Sequence, residues 1–219
     1  EIYGGMSGFF DYGPLGVELK NSIKAEWWKA HVQSRQDVVG IDGSIITHPK
    51  VWEASGHVAN FTDIMAKCGK CGNSTRADHI VEDKTKAATA GMNAQQLQQL
   101  IEKNKIKCPR CGSDQLKIAQ PFNLMFKTIV GPSEGKEATA YLRPETAQLI
   151  FANFKLVQEN ARMKLPFGIA QIGKAFRNEI SPRQTIVRMR EFTQAELQIF
   201  FDPEKLDEHE KWDEVKNYK

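Results

Sequence analysis

FRNEISPRQTIVRMREFTQAE, residues 176–196, holds four arginines and three glutamates in twenty-one positions. Its polar residues fall largely at every second place, the period of a strand rather than of a helix. Extended from Arg188 to Gln198, the pattern puts Arg188, Arg190, Phe192, Gln194, Glu196 and Gln198 on one face. Met189, Thr193, Ala195, Leu197 and Ile199 line the other, with Glu191 as its one charge. The apolar face is expected against the core, which leaves the charged face as a binding surface. A solvated edge strand would interleave lysine with glutamate and expose no phenylalanine. Arg177 falls on a preceding strand and Ser181-Pro182 signals a turn, so the stretch reads as a hairpin with a long polar loop.

The residue types on that face point to one kind of ligand. Phe192 offers a stacking platform for a flat ring, and Arg177 and Arg188 offer paired donors to phosphate oxygens. Glu196 lies four residues on, about 13 Å along an extended strand, where a carboxylate can receive an ammonium group. A ring, phosphates and an ammonium in a line describe an amino acid joined to a nucleotide. Upstream, Arg143-Pro-Glu-Thr146 is expected to open a helix that buries Ala147, Ile150, Phe151, Phe154, Val157 and Ala161. Glu145 would then sit in its first turn, serving either as a ligand or simply as a charge that suits the helix dipole. Phe167 to Gly173 reads as a strand whose glycines admit the close approach of a backbone or a ligand.

The rest of the chain sets the frame. Its 219 residues are 41% hydrophobic and 26% charged with a net charge of +3, a globular composition that permits an RNA partner without demanding one. No apolar run is long enough to span a bilayer, and no cleavable leader is recognisable. The four cysteines fall into two pairs, Cys68-Gly-Lys-Cys71 and Cys108-Pro-Arg-Cys111, each followed by glycine. Two disulfides would be the plain reading. The strict doubling favours a four-cysteine zinc site, structural because no ligand position is left open, in a reducing and therefore cytoplasmic setting. The 36-residue spacer has room for a helix with Leu97, Leu100 and Ile101 as its apolar face. Three parts follow: residues 1–66, a zinc-stapled insertion over 67–119, and 120–219. In the first, Gly13-Pro14 opens a helix whose stripe of Leu15, Leu19, Ile23 and Trp27 packs in the core or faces a second subunit. Val38 to Thr47 reads as short strands broken at Gly40 and Gly43, closed by His48-Pro49.

Tyr141-Leu-Arg-Pro-Glu-Thr-Ala-Gln148, Phe176-Arg-Asn-Glu-Ile-Ser-Pro-Arg183 and Arg190-Glu-Phe-Thr-Gln-Ala-Glu196 closely resemble glycyl-tRNA synthetase of the homodimeric class II type. Phe10-Asp-Tyr-Gly-Pro-Leu-Gly16 and Val51-Trp-Glu-Ala-Ser-Gly-His57 look like the same family. The resemblance implies an α+β fold, a class II antiparallel sheet flanked by helices and carrying the zinc-stapled insertion. It assigns Arg177 to the α-phosphate of ATP as the catalytic residue, Glu179 to the adenine amino group, Arg188 to the terminal phosphates and Phe192 to adenine. Glu145 and Glu196 would bind the ammonium of glycine, Mg²⁺ would accompany ATP, and tRNA(Gly) would accept the product. The segment from Pro14 to Pro49 resembles motif 1 and implies a homodimer. Motif 3 and an anticodon-binding domain are not found, which implies part of a catalytic domain with weak activity alone. A silent synthetase-like accessory protein would have lost these charged ligands, and a synthetase for another small amino acid is the nearest enzymatic rival. A zinc-dependent nucleic-acid module would call for stacking aromatics, which residues 67–119 lack. His57 and Asp63 are left to order a loop or touch tRNA, the structural role being preferred for a lone histidine.

Overall fold

The computed structural model describes residues 2–89, 91–132, 138–180, 182 and 185–208. Pro14 opens α1 (Pro14–Trp28), where its missing N–H costs nothing. No residue of α1 is buried, and Leu15, Leu19 and Ile23 stand 89%, 63% and 61% exposed. The stripe is therefore not core packing within one chain. Trp27 and Trp28 are half-buried, and the Trp28 ring lies against Gly40, where any Cβ would collide with it. Strands β1 (Val38–Gly40) and β2 (Ile46–Thr47) follow, divided near the two glycines. His48 closes this segment and starts the next: its Nδ1 accepts from the Lys50 N–H at 3.2 Å and caps α2 (Pro49–Ala54). A left-handed Gly56 (φ 78°) then turns the chain into α3 (His57–Asn60).

After β3 (Thr62–Asp63) the chain builds a unit with its own core. β4 (Met65–Cys68) is the centre of an antiparallel sheet, with β5 (Ser74–Arg76) and β6 (Leu116–Ile118) on either side. Between them lie α4 (Ala77–Thr85), which the apolar pattern does not announce, and the expected α5 (Ala94–Lys103). Asn93 and Gln96 form a reciprocal capping box at the start of α5. Leu97 and Ile101 pack with Ala66, Ala77, Ile80, Val81 and Leu116 around Cys68 and Cys108.

Strands β7 (Phe122–Asn123), β8 (Lys127–Ile129) and β9 (Thr139–Leu142) return the chain to β3 and β2. α6 (Ala147–Ala161) leads to β10 (Phe167–Phe176) and β11 (Glu191–Phe200), which pair antiparallel over ten residues, while β1 joins β10 in parallel. α6 begins two residues later than the sequence suggests, with Thr146 at its N-cap, so Glu145 precedes the helix. Its buried side includes Leu149 as well as Ala147 and Ile150, whereas Phe151 is half exposed and Ala161 exposed.

The hairpin departs from expectation in two ways. Arg188 and Arg190 precede β11 and are not on its face. Cross-strand partners share a face, and Phe167 pairs with Phe200 while Ala175 pairs with Phe192. The core of Ile150, Phe167 and Ile169, with Phe154 and Phe200 against it, is thus on the same side as Phe192 and Glu196. On the opposite side Ala195 and Ile199 are exposed while Val38 and Ala170 are buried and Leu197 is half-buried. Period two separates the faces of a strand but does not say which one a helix covers; here α6 covers one end and leaves the other for a ligand. Residues 209–219, the end of the acidic segment, lie outside the described residues. Among the described residues no helix is long and apolar enough to cross a membrane.

Candidate active site and metal centre

Arg177 follows the last residue of β10, and its main chain is fixed by its N–H donating to Arg190 O at 2.9 Å. Its Nε donates to Pro144 O at 3.0 Å. The guanidinium lies between two rings, 5.4 Å from the centroid of Phe192 and 5.6 Å from that of Phe61. This leaves its terminal nitrogens without a protein acceptor among the described residues. Glu179, almost fully buried, takes the Nε of Arg188 at 3.0 Å. Arg177, Glu179, Arg188 and Phe192, with Ile186, Val187 and Met189, line one open pocket of about 540 Å³. Arg190 turns elsewhere, donating to Glu179 O and Ser7 O and so tying the N-terminal turn to the hairpin.

The two carboxylates assigned to the ammonium flank a single residue. Thr146 Oγ1 donates to Glu196 Oε2 at 2.7 Å, and Gln198 Nε2 donates to Glu196 Oε1 at 2.6 Å. Glu145, the neighbour of Thr146, receives Gln148 Nε2 at 2.7 Å and faces His57 Nε2 at 3.4 Å. Beneath them lies Arg143, 1% exposed, donating from Nε to Lys174 O at 2.7 Å and from Nη1 to Gly43 O at 2.6 Å. Gln171 completes this floor with its oxygen toward the Gly43 N–H (2.9 Å) and Arg143 Nη1 (2.7 Å). Burial holds the pKa of Arg143 below its ordinary value, with Asp42 acting against it. The structure thus gathers Arg177, Glu179, Arg188 and Phe192 at one end of the sheet face, and Glu145 with Glu196 at the N-terminus of α6. Phe61, His57, Thr146 and Gln194 also belong here. Thr146 is adjacent to a named residue, but Phe61 stands too far from Arg177 in sequence for spacing to indicate it.

The cysteines form a second centre. The N–H of Gly72 donates to Cys68 O and that of Gly112 to Cys108 O, both at 2.9 Å, and both glycines have φ of 69°. The two turns are copies. Their sulfurs all lie within 4.8 Å of one another, with Cys68–Cys111 and Cys71–Cys108 each 3.7 Å apart. A tetrahedron of metal–thiolate bonds about 2.3 Å long has edges of roughly 3.8 Å, so the four sulfurs fit one metal ion. Backbone donation from Cys71, then Lys70, draws the Cys68 thiol down to about 6. Cys111 is favoured by the Ser113 N–H, but the other sulfurs and burial push it up to about 12. Four thiols this close resist ionising together without a cation among them. Arg76, at the start of α4, bridges Asp78 and Asp63 of β3, the latter at 3.3 Å, and joins this unit to the strand beside the pocket. Burial raises the Asp63 pKa, with Arg76 opposing it.

Residues 126–218 match the tRNA synthetase class II core domain family (G, H, P, S and T). The chain is 52% identical over 217 residues to a glycine–tRNA ligase of Methanococcus maripaludis strain C7, covering 99% of this chain and 37% of that protein. A glycine–tRNA ligase of Bacillus cereus is 50% identical over 208 residues, 93% of this chain and 45% of its own length. The chain therefore spans well under half the length of these relatives. Among solved structures, the RNA-binding domain of threonyl-tRNA synthetase from Cryptosporidium parvum aligns over 91% of this chain and 36% of its own, with a TM-score of 0.52 and 18% identity. That likeness is one of fold.

Proposed function

We propose that this chain, whose residues 126–218 match the tRNA synthetase class II core domain family, supplies the ATP and glycine wall of an enzyme that charges tRNA(Gly). The observation that carries this reading is the gathering of Arg188, Phe192 and Arg177 round one pocket beside the β11 face that carries Glu196, with Glu145 next to the Thr146 that holds Glu196. Adenine on Phe192, phosphates on the arginines and an ammonium between the carboxylates match that arrangement.

The reaction asks for alignment. A glycine carboxylate oxygen attacks the α-phosphorus of ATP, the bond to the bridging oxygen breaks, and pyrophosphate leaves with its charge. The attacking group is already ionised at neutral pH, so no general base is needed. Arg177 holds the α-phosphate and stabilises charge on its non-bridging oxygens as the phosphorus becomes five-coordinate. Arg188 holds the outgoing phosphates and Glu179 accepts from the adenine amino group. Mg²⁺ bound with ATP would add charge neutralisation at the phosphates. The terminal ribose hydroxyl of tRNA(Gly) then attacks the adenylate carbonyl, and AMP leaves. Pocket discrimination by one methyl group is worth only about 1–3 kcal/mol, so the carboxylates must close tightly round the α-carbon.

The cysteine centre is read as structural zinc, because four thiolates complete its coordination and residues 67–119 fold around two of them. The exposed Leu15, Leu19 and Ile23 stripe supports a homodimer through α1, and thiolate ligands suit a reducing cytoplasm. The test is ATP–pyrophosphate exchange over glycine, alanine and serine, on this chain and on one extended to the length of its relatives. Glycine alone should stimulate exchange, strongly in the extended form. Stimulation by alanine or serine instead would overturn the specificity, and no exchange in either form would favour a silent relative.

A further inference from the structure

Glu145 precedes α6, so no regular element fixes its side chain. Gln148 Nε2 donates to its Oε1 at 2.7 Å and His57 Nε2 stands 3.4 Å from the same oxygen, and neither is placed on Oε2. A carboxylate gripped by one oxygen keeps the other for a ligand.

His57 is itself firmly held. Its Nδ1 is 2.9 Å from Ser55 Oγ, and its ring stands edge-on to the fully buried Trp52 at 5.4 Å and tilted to Phe61 at 5.4 Å. Asn123 Nδ2 donates to the carbonyls of His57 and Val58, at 3.4 and 2.9 Å, which pins the backbone. Ser55 Oγ also lies 3.3 Å from Trp52 O, and its single proton can serve only one acceptor at a time. If the proton goes to Nδ1, the neutral ring carries its hydrogen on Nε2. That tautomer turns its N–H toward Glu145 Oε1, 3.4 Å away.

We infer that His57, backed by Ser55, is a positioning residue for amino-acid recognition: it fixes Glu145 Oε1 so that Oε2 meets the ammonium group of glycine. The inference rests on the proposed role of Glu145. It also links the two ends of the site, because the His57 ring packs on Phe61, which carries the Arg177 guanidinium on its face.

The test uses two non-hydrolysable glycyl-adenylate analogues that differ only in an amino or a hydroxyl group at the α-carbon. Their affinities are measured by calorimetry on the full-length protein containing this chain. His57→Phe keeps a ring between Trp52 and Phe61 but removes the donor. It should weaken the amino analogue by roughly 10- to 100-fold, the scale of a hydrogen bond to a charged group, and leave the hydroxyl analogue nearly unchanged. His57→Gln, which restores a donor, should recover much of the difference. Equal losses for both analogues would make His57 merely structural and overturn the inference. If the parent discriminates and His57→Phe discriminates equally well, the functional reading stands and the inference falls. If the parent binds both alike, or neither, Glu145 does not hold an ammonium and both fall.

Discussion

Gly173→Ala tests whether the floor of the site is as rigid as its contacts imply. A methyl group there would stand 3.1 Å from Arg143 Cζ and closer still to Nη2. The guanidinium has nowhere to go, being 1% exposed with Nε on Lys174 O and Nη1 on Gly43 O. Relief requires breaking at least one hydrogen bond of a buried cation, about 1.5–3 kcal/mol, on top of an overpacking cost of about 1–3 kcal/mol. A total of about 3–5 kcal/mol, at 2–4 °C per kcal/mol for a chain of this size, lowers the melting temperature by roughly 6–20 °C. Gly168→Ala is the control. Its nearest neighbours are the side-chain tips of Ile199, Leu197 and Val38 at 2.8–2.9 Å, the first of them exposed and free to turn. That substitution should cost about 1–2 kcal/mol. Differential scanning calorimetry on both variants decides it: equal melting temperatures, or Gly173→Ala melting with the parent, would refute the account of Arg143 as a locked cation.

Four further outcomes are expected. A strong chelator should release one metal ion per chain and melt the insertion first, so that exchange of α4 and α5 amides accelerates while the β10–β11 ladder stays protected; Cys108→Ser should abolish the release. Leu19→Glu should convert a dimer to a monomer in sedimentation equilibrium without loss of helical circular dichroism, since α1 buries nothing in its own chain. Arg177→Ala should reduce glycine-dependent exchange by roughly 10²–10³-fold, the usual scale for removing one donor to developing charge, and Arg177→Lys should not rescue it because an ammonium lacks the guanidinium's paired donors. Burial raises the Asp78 carboxyl, but the Arg76 hydrogen bonds and the His79 N–H outweigh it and hold the pKa below the ordinary value. A depressed carboxyl stabilises the fold above its unfolded pKa of about 3.9 and loses that contribution as pH falls through the folded value. Asp78→Asn should therefore melt lower than the parent at pH 7 and show a flatter decline in acid titrations.

Much of this was legible because it is local. The two Cys-x-x-Cys turns announce themselves by spacing alone, and their sulfurs do converge. The glycines at 168 and 173 signalled a close approach, which proves to be by Val38, Leu197 and Ile199 at one and by the Arg143 guanidinium at the other. The alternation in 191–200 is a real strand, yet it did not show that α6 covers part of the polar face at Phe200, because the covering helix belongs to a different part of the pattern. Arg188 and Arg190 continue the same alternation in sequence but leave the strand, as their partners are Glu179 and the Ser7 carbonyl. Such choices depend on which acceptors lie nearby in space, and no period encodes them. Phe61 was hidden for the same reason, and His57, noticed only as a lone histidine, gave no sign that it would stand beside Glu145.

The tripeptide Pro144-Glu145-Thr146 explains why alignment can be the whole of the protein's contribution. Its three consecutive residues each hold a different part of the site: the Pro144 carbonyl takes Arg177, Glu145 takes His57 and Gln148, and Thr146 donates to Glu196. The ends proposed for phosphate and for ammonium are thus fastened to one short piece of backbone that leads into α6. A displacement of either end moves the other. For a reaction whose nucleophile arrives already charged, the barrier falls mainly through holding carboxylate and phosphorus in the attacking geometry. On the proposed reading, rigid coupling between the two subsites would do that and would also select against a larger amino acid: a side chain that pushes Glu145 or Glu196 aside would drag Arg177 out of line and slow the chemistry as well as weaken binding.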